Sequence, residues 1–321
     1  MKTFDACIVI PSNRRDYIHQ FLVAWQPQFS DHHIIIVEDN ATKSFNITDP
    51  NVTHIAWNDI DEMFGEDAWI IPRRTDCIRS AGYLLAYRRN VDLIVTLDDD
   101  CFPTDSDFLD AHWRRLQAGR VRGWVSTGLG TVPRGVPYFH AERDVQPVLN
   151  HGMWLTVPDY DAVTQLSLQR VPGTFEAVTQ TIPIGTFFPM CGMNLAWLPI
   201  ATPAMYFLLM GAEYDYDRFG DIWAGVIFKR IADHLGFAVN SGIPLIDHRR
   251  ASNVWANLRK EARGLEINEE LWKRIAGIVL TKETFAECYL EIAEKLPATS
   301  EYESQLKRAM RLWVKHCGLH R

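Results

Sequence analysis

A chain of 321 residues, 47% hydrophobic and 23% charged, has ordinary globular composition and material for one large domain or two. A formal net charge of −7 and a pI near 5.9 argue against a nucleic-acid binder, because such proteins gather Lys and Arg to neutralise phosphates. No window approaches the roughly 18 apolar residues of a membrane span, the apolar segment 6–11 is too short for a signal-peptide core, and the six cysteines show no zinc or redox spacing, so a cytoplasmic protein with reduced thiols is expected.

The first segment, Ala6-Cys-Ile-Val-Ile-Pro-Ser, reads as a buried strand ending at Pro11. A polar turn with Asn13 and Arg14 follows, then a helix through Ile18, Phe21, Leu22 and Trp25. His33-Ile-Ile-Ile-Val-Glu-Asp-Asn reads as a second strand, ending in Glu38 and Asp39. Residues 76–90 have helical spacing through Ile78, Ala81, Leu84 and Leu85. They lead into Leu93-Ile-Val-Thr-Leu, an apolar run that stops abruptly at Asp98, Asp99 and Asp100. Three such strands separated by helical patterns imply an α/β fold with a mixed, largely parallel sheet flanked by helices. From about residue 120 the segments become shorter and rich in aromatic residues, Pro and Gly, a mixed half expected to shape a sugar or acceptor pocket. After about residue 266 amphipathic helices dominate, through Leu271 and Ile275, then Leu290 and Ile292, then Met310 and Trp313, with Ser300 placed to cap the last. The expected organisation is a catalytic unit over 1–265 and a C-terminal helical extension over 266–321 packed on the same domain.

In such a sheet the tips at Pro11, Asp39 and the Asp triplet converge on one edge, where α/β sheets bind ligands. Three adjacent carboxylates repel one another unless a cation joins them. Hard oxygen ligands at Asp98 and Asp100 suit Mg²⁺ or Mn²⁺, which in turn hold a diphosphate. One acid of the triplet would suffice to cap the next helix, so three point to a metal-bridged nucleotide-sugar site. Asp39 is placed either to accept a uracil N–H or to serve as a turn acid. Arg73, Arg74 and Arg79, around Asp76, have the paired donors that phosphate recognition uses, although one or two would serve equally as solvated surface charges. His248, in Leu245-Ile-Asp-His-Arg-Arg, would complete the cation's sphere with a neutral imidazole, or be structural; Arg249 beside it favours an anion-facing loop. For a proton-transferring acid the candidates are Asp221, at the start of a helix, and Asp159 and Asp161 in Pro158-Asp-Tyr-Asp; the pattern does not rank them.

An ordered series carries a resemblance: Asp98-Asp-Asp-Cys-Phe, His151-Gly-Met-Trp-Leu, Pro158-Asp-Tyr-Asp-Ala, Phe188-Pro-Met-Cys-Gly-Met-Asn-Leu-Ala, Pro203-Ala-Met-Tyr-Phe and Asp221-Ile-Trp-Ala-Gly. From Ile8 to about residue 290 the chain resembles the reversibly glycosylated polypeptides, whose plant members include the UDP-arabinopyranose mutases. The resemblance implies a GT-A-like, Rossmann-like fold in which Asp98 and Asp100 hold the cation, Asp99 lies against the diphosphate, and His248 matches a family histidine. It adds His151 and Asn194 to the substrate-binding candidates. It also implies a UDP-sugar substrate, homo- or hetero-oligomers, and ring-form exchange without flavin; no Gly-x-Gly-x-x-Gly fingerprint is present. Two rival readings are a UDP-sugar-dependent or self-modifying glycosyltransferase and a non-catalytic UDP-sugar-binding subunit.

The chain departs from the family's pattern in three places. The arginine that becomes glycosylated in plant members is replaced in Val171-Pro-Gly-Thr-Phe-Glu, where Thr174 stands at or beside that place and Arg170 is the nearest arginine. Gly220 precedes Asp221 where the family has a second acid. Arg249 and Arg250 replace Ser-Lys, and a changed sugar preference would fit these substitutions.

Overall fold

The computed structural model describes residues 4–124, 131–139, 142–168, 178–249 and 252–318. Strands β1 (Ala6–Ser12), β2 (His33–Glu38), β3 (Val52–Ile55) and β4 (Leu93–Leu97) pair in parallel in the order β3-β2-β1-β4. Alternation along them sorts side chains into two apolar layers. Cys7, Val9, Ile35, Val37 and Ile94 face one layer; Ile8, Ile10, Ile34, Ile36, Val95 and Leu97 face the other. Because both faces are covered, the strands read as unbroken apolar runs.

Helix α1 (Arg15–Phe29) packs Ile18, Phe21, Trp25 and Phe29 into the second layer, and α4 (Phe108–Gln117) adds Phe108, Leu109 and Leu116. The opposite face is covered by α2 (Trp57–Phe64), α3 (Arg79–Arg88) and α6 (Gly220–His234). Helix α3 lies so close to the sheet at Gly82 that a Cβ there would collide with Val9 and Val37.

The remaining strands correct the expectation of a largely parallel sheet. These are β5 (Cys101–Pro103), β6 (Gly119–Arg122), β7 (Glu142–Thr156), β8 (Gln180–Ile182), β9 (Asn194–Trp197) and β10 (Phe237–His248). The sheet is mixed, with order β3-β2-β1-β4-β9-β7-β10-β5, β6 beside β7 and β8 beside β10. β9 runs antiparallel to both β4 and β7, and β5 and β8 run antiparallel to β10, while β7 and β10 are parallel. A parallel neighbour needs a crossover of a dozen or more residues. The helical spacing between the first strands announces such crossovers; the short segments after residue 120 carry no comparable signal.

Helices α5 (Ala162–Leu168) and α7 (Val254–Glu261) flank the C-terminal strand ends. Helices α8 (Leu265–Ala276), α9 (Phe285–Lys295) and α10 (Glu301–Cys317) place Ile275, Tyr289, Ile292, Met310 and Trp313 in the same apolar layer as α3 and α6. Ser300 caps α10, accepting the Glu303 N–H at 3.2 Å while Glu303 accepts the Ser300 N–H at 3.1 Å. Trp313 Nε1 donates to the Pro203 carbonyl at 3.2 Å, and the Tyr302 hydroxyl donates to that of Leu209 at 2.9 Å. The last helix thereby braces the segment that delivers α6 to the strand tips. Among the described residues no helix is long and apolar enough to cross a membrane.

Candidate active site at the strand tips

The parallel register of β1 between β2 and β4 brings three strand ends to one edge, where the backbone N–H of Asp39 donates to the Ser12 carbonyl at 3.1 Å. They open on a cavity of about 440 Å³ whose lining includes Pro11, Asn13, Asp39, Asp76, Asp98 and Asp99. Arg14, Arg74, Arg79, Asp159 and Asp221 line it as well.

At its centre stands the acid-tipped end of β4. Asp99 is buried, takes the Ser12 hydroxyl, and accepts Arg14 Nε at 3.0 Å; a second Arg14 nitrogen lies 3.0 Å from Asp100. Arg14 Nη1 is buried with no hydrogen-bond partner among the described residues. A desolvated guanidinium N–H without an acceptor is costly, and an anionic oxygen would satisfy it. Arg79, rising from the first turn of α3, is 3% exposed and donates to Asp98 at 2.6 Å and to the Gly192 carbonyl at 2.6 Å. Burial works to raise the Asp98 carboxyl, but the Arg79 guanidinium outweighs it and holds Asp98 below the usual range. Asp100 moves the other way, raised by burial and then by Asp98.

His248 reaches this group through the antiparallel pairing of β10 with β5, which sets it opposite Cys101. Its Nε2 lies 3.8 Å from Asp100 Oδ1 and its Nδ1 lies 2.8 Å from the Val157 carbonyl. A carbonyl only accepts, so Nδ1 carries a proton, and Nε2 is the ring nitrogen that would take a cation. That is how a protein orients a metal-binding imidazole. Among the described residues no group of three or more His, Cys, Asp or Glu converges as a complete cation cage. Asp98, expected as a further ligand, is turned to Arg79, which leaves Asp100 and His248; two protein ligands still suit a cation that takes its remaining oxygens from phosphates and water, and the free Arg14 N–H suits the same anion.

At one end of the cavity Asp39 accepts Trp57 Nε1 at 2.8 Å and the Arg74 N–H at 2.9 Å through a single oxygen. Burial raises its pKa. An adjoining recess is lined by Asn13, Asp39, Asn40, Ala41, Trp57 and Arg74. Buried Glu38 orders that wall, accepting Asn40 Nδ2 at 2.7 Å and the Ser44 N–H at 3.0 Å.

At the other end Asp221, in the first turn of α6, accepts the Gly192 N–H at 2.8 Å. Burial, reinforced by the charges of Asp76 and Asp159, pushes its pKa up to about 7. Asp159 accepts the thiol of Cys191 at 2.7 Å. Burial likewise raises Asp76 at the cavity floor.

The sequence pattern described as "Reversibly glycosylated polypeptide" matches residues 1–117 and 125–320. The chain belongs to that family. It is 36% identical to the Solanum tuberosum protein named "Probable UDP-arabinopyranose mutase 2", over 96% of this chain and 88% of that one. It is 37% identical to "UDP-arabinopyranose mutase 3" of Arabidopsis thaliana, over 96% and 89%, and 34% identical to "UDP-arabinopyranose mutase 1" of Oryza sativa subsp. japonica, over 96% and 89%. Among solved structures, glucosyl-3-phosphoglycerate synthase from Mycobacterium tuberculosis with Mn²⁺, UDP and glucosyl-3-phosphoglycerate aligns with 92% of this chain and 82% of its own, at a TM-score of 0.41 and 12% identity.

Not every family anchor faces the cavity. His151 is buried between Trp154 and Phe188, its Nδ1 3.1 Å from the Ser241 hydroxyl, and burial lowers its pKa to about 4. Asn194 lies 3.0 Å from His112 and donates to the Met153 and Pro244 carbonyls, tying β9 to its neighbours. Asp161 begins α5, accepting the Thr164 N–H at 2.9 Å. Arg73 turns to Asp61 at 2.8 Å, and Arg249 pairs with Asp247 at 2.6 Å over the Phe102 ring. Thr174, Arg170 and Arg250 lie outside the described residues. Conversely, Ser12, Thr75, Met193, Asp217, Arg218 and Lys260 line the cavity without having been singled out from the sequence. The dense alternation Asp215-Tyr-Asp217-Arg218 just ahead of Asp221 was the available signal.

Proposed function

We propose that this chain interconverts the pyranose and furanose forms of a UDP-sugar such as UDP-arabinose, in the cytoplasm, with a divalent cation and without flavin. One observation carries the reading: Arg14, Arg79, Asp98 and Asp99 share a single cavity with Asp39 and Asp221. The relatives named UDP-arabinopyranose mutases, aligned over nearly the whole chain, support it. The parallel run β3-β2-β1-β4 with acids at its end supports a GT-A-like reading of the fold. We take 1–265 as the catalytic unit and 266–321 as its helical extension.

Exchange of ring forms breaks the bond from C1 to the pyranose ring oxygen and makes one from C1 to the 4-oxygen. The 4-hydroxyl loses a proton and the departing ring oxygen gains one, while the bond from C1 to UDP breaks and re-forms. Arg14 and Arg79 stand where the UDP leaving group gathers negative charge. Asp221, with its pKa near 7, is poised to take a proton from one hydroxyl and return it to the other. Asp39 would accept the uracil N–H. Asp100 and His248 would hold Mn²⁺ or Mg²⁺, which when bound supplies neutralisation of the diphosphate.

Incubating the protein with Mn²⁺ and UDP-arabinopyranose and resolving the ring forms by chromatography tests this directly. Exchange to the furanose form is expected. UDP release that requires an added acceptor would identify a transferase instead, and absence of exchange with any UDP-pentose or UDP-hexose would overturn the reading.

A further inference from the structure

Arg218 stands where the chain turns from Asp217 into α6, with φ of +67°, a left-handed backbone unfavourable for a residue bearing a Cβ. The contacts that hold it there come from the last turn of α7. Glu261 is 1% exposed; one of its oxygens accepts Arg218 Nε at 2.8 Å and the other accepts the Ala162 N–H at 2.7 Å, where α5 begins just past Asp159. The neighbouring Lys260 pairs with Asp217 at 3.0 Å. Phe219 packs on Gly264, where a Cβ would collide with its ring. The end of α7 thus grips 217–219 on both sides of Arg218 and fixes the segment that carries Asp159.

A surface ion pair would secure a loop at less desolvation cost than a carboxylate buried behind the guanidinium. What burial adds is orientation. Glu261 engages the Nε side of the planar group from the interior, which leaves the terminal nitrogens of Arg218, a residue that lines the cavity and whose side chain is 32% exposed, for a ligand. Despite burial, Glu261, Asp159 and Asp76 hold the guanidinium's pKa above its ordinary value. This end of the cavity is rich in carboxylates, which accept hydrogen bonds from a polyol and donate none. Arg79 is paired with Asp98, and Arg14, apart from its one unpartnered nitrogen, with Asp99 and Asp100.

We propose that Arg218 is a sugar-recognising residue, donating to hydroxyl oxygens of the sugar half of the nucleotide sugar, and that Glu261 is the positioning residue that aims it. This rests on the UDP-sugar reading of the cavity, and its test reads binding rather than turnover. Calorimetry on the full chain with Mn²⁺ compares UDP and UDP-arabinopyranose for wild type, Arg218→Lys, Arg218→Gln and Glu261→Gln, with thermal melts alongside. The expected result is UDP affinity within about twofold of wild type in all variants, while UDP-sugar affinity falls about tenfold to a hundredfold for Arg218→Gln and about tenfold for Glu261→Gln. Arg218→Lys keeps the charge and recovers part of the loss. An equal loss for UDP and UDP-sugar would make Arg218 a diphosphate ligand and overturn the assignment. A lowered melting temperature with unchanged UDP-sugar affinity would reduce the pair to a structural clamp, also overturning it. A wild-type protein that binds the UDP-sugar but exchanges no ring forms would fail the mutase reading alone.

Discussion

His248 Nε2 faces Asp100 Oδ1 across 3.8 Å, while its Nδ1 is fixed by the Val157 carbonyl at 2.8 Å. Two groups far apart in sequence thus bring an imidazole nitrogen and a carboxylate oxygen to the same small space, beside Arg14, whose Nη1 has no hydrogen-bond partner among the described residues.

If that space takes a cation, Asp100→Asn and His248→Ala should each weaken Mn²⁺ binding by at least about tenfold in the presence of UDP. Titration calorimetry reads this without any turnover. Unchanged Mn²⁺ affinity in both variants would remove these residues from the proposed metal site.

The Arg79–Asp98 pair is structural as well as electrostatic. Arg79→Met leaves Asp98 without its guanidinium and frees the Gly192 carbonyl, and should cost about 3–5 kcal/mol of stability. Adding Asp98→Asn should restore much of that loss, because the uncompensated charge is then gone. Urea denaturation of the two single variants and the double variant measures the coupling, and additive losses would contradict it.

Asp221 should tie activity and stability together through pH. Its folded pKa near 7 lies above the ordinary 3.8, so the folded chain binds the extra proton between these values. Stability from this group is therefore greatest below about pH 4 and declines as pH rises to about 7. Asp221→Asn should abolish ring exchange yet raise stability by up to about 4 kcal/mol at pH 8, with the gain vanishing near pH 4. As the starting base, ionised Asp221 should make kcat/KM rise with pH to a plateau above about 7. Melting curves and rate profiles across pH 4–9 check both halves.

One oxygen of Asp39 accepts Trp57 Nε1 and the Arg74 N–H, and the carboxylate lines the cavity. Asp39→Asn preserves an oxygen for those two contacts but replaces an acceptor by an amide. UDP affinity should fall about tenfold while inorganic pyrophosphate binds as before. A parallel loss for both ligands would place Asp39 against the phosphates instead.

The sequence by itself determined the strands β1, β2 and β4, the helices α1 and α3, and the Ser300 cap, because apolar period, strand length and cap chemistry are local properties. It also placed Asp39 and the acids at 98–100 at strand ends on a common edge, since parallel crossovers leave little choice of where those ends lie. The direction of β9 was not legible: alternation tells which side chains are covered and says nothing of which strand lies alongside or which way it runs. Nor could spacing separate Asp161, which begins α5, from Asp221 at the cavity, or His151, packed between aromatic rings, from His248 beside Asp100. Those distinctions, and the grip of Glu261 on Arg218, depend on contacts between residues far apart along the chain. Only packing decides them, because desolvation and charge pairing act through space.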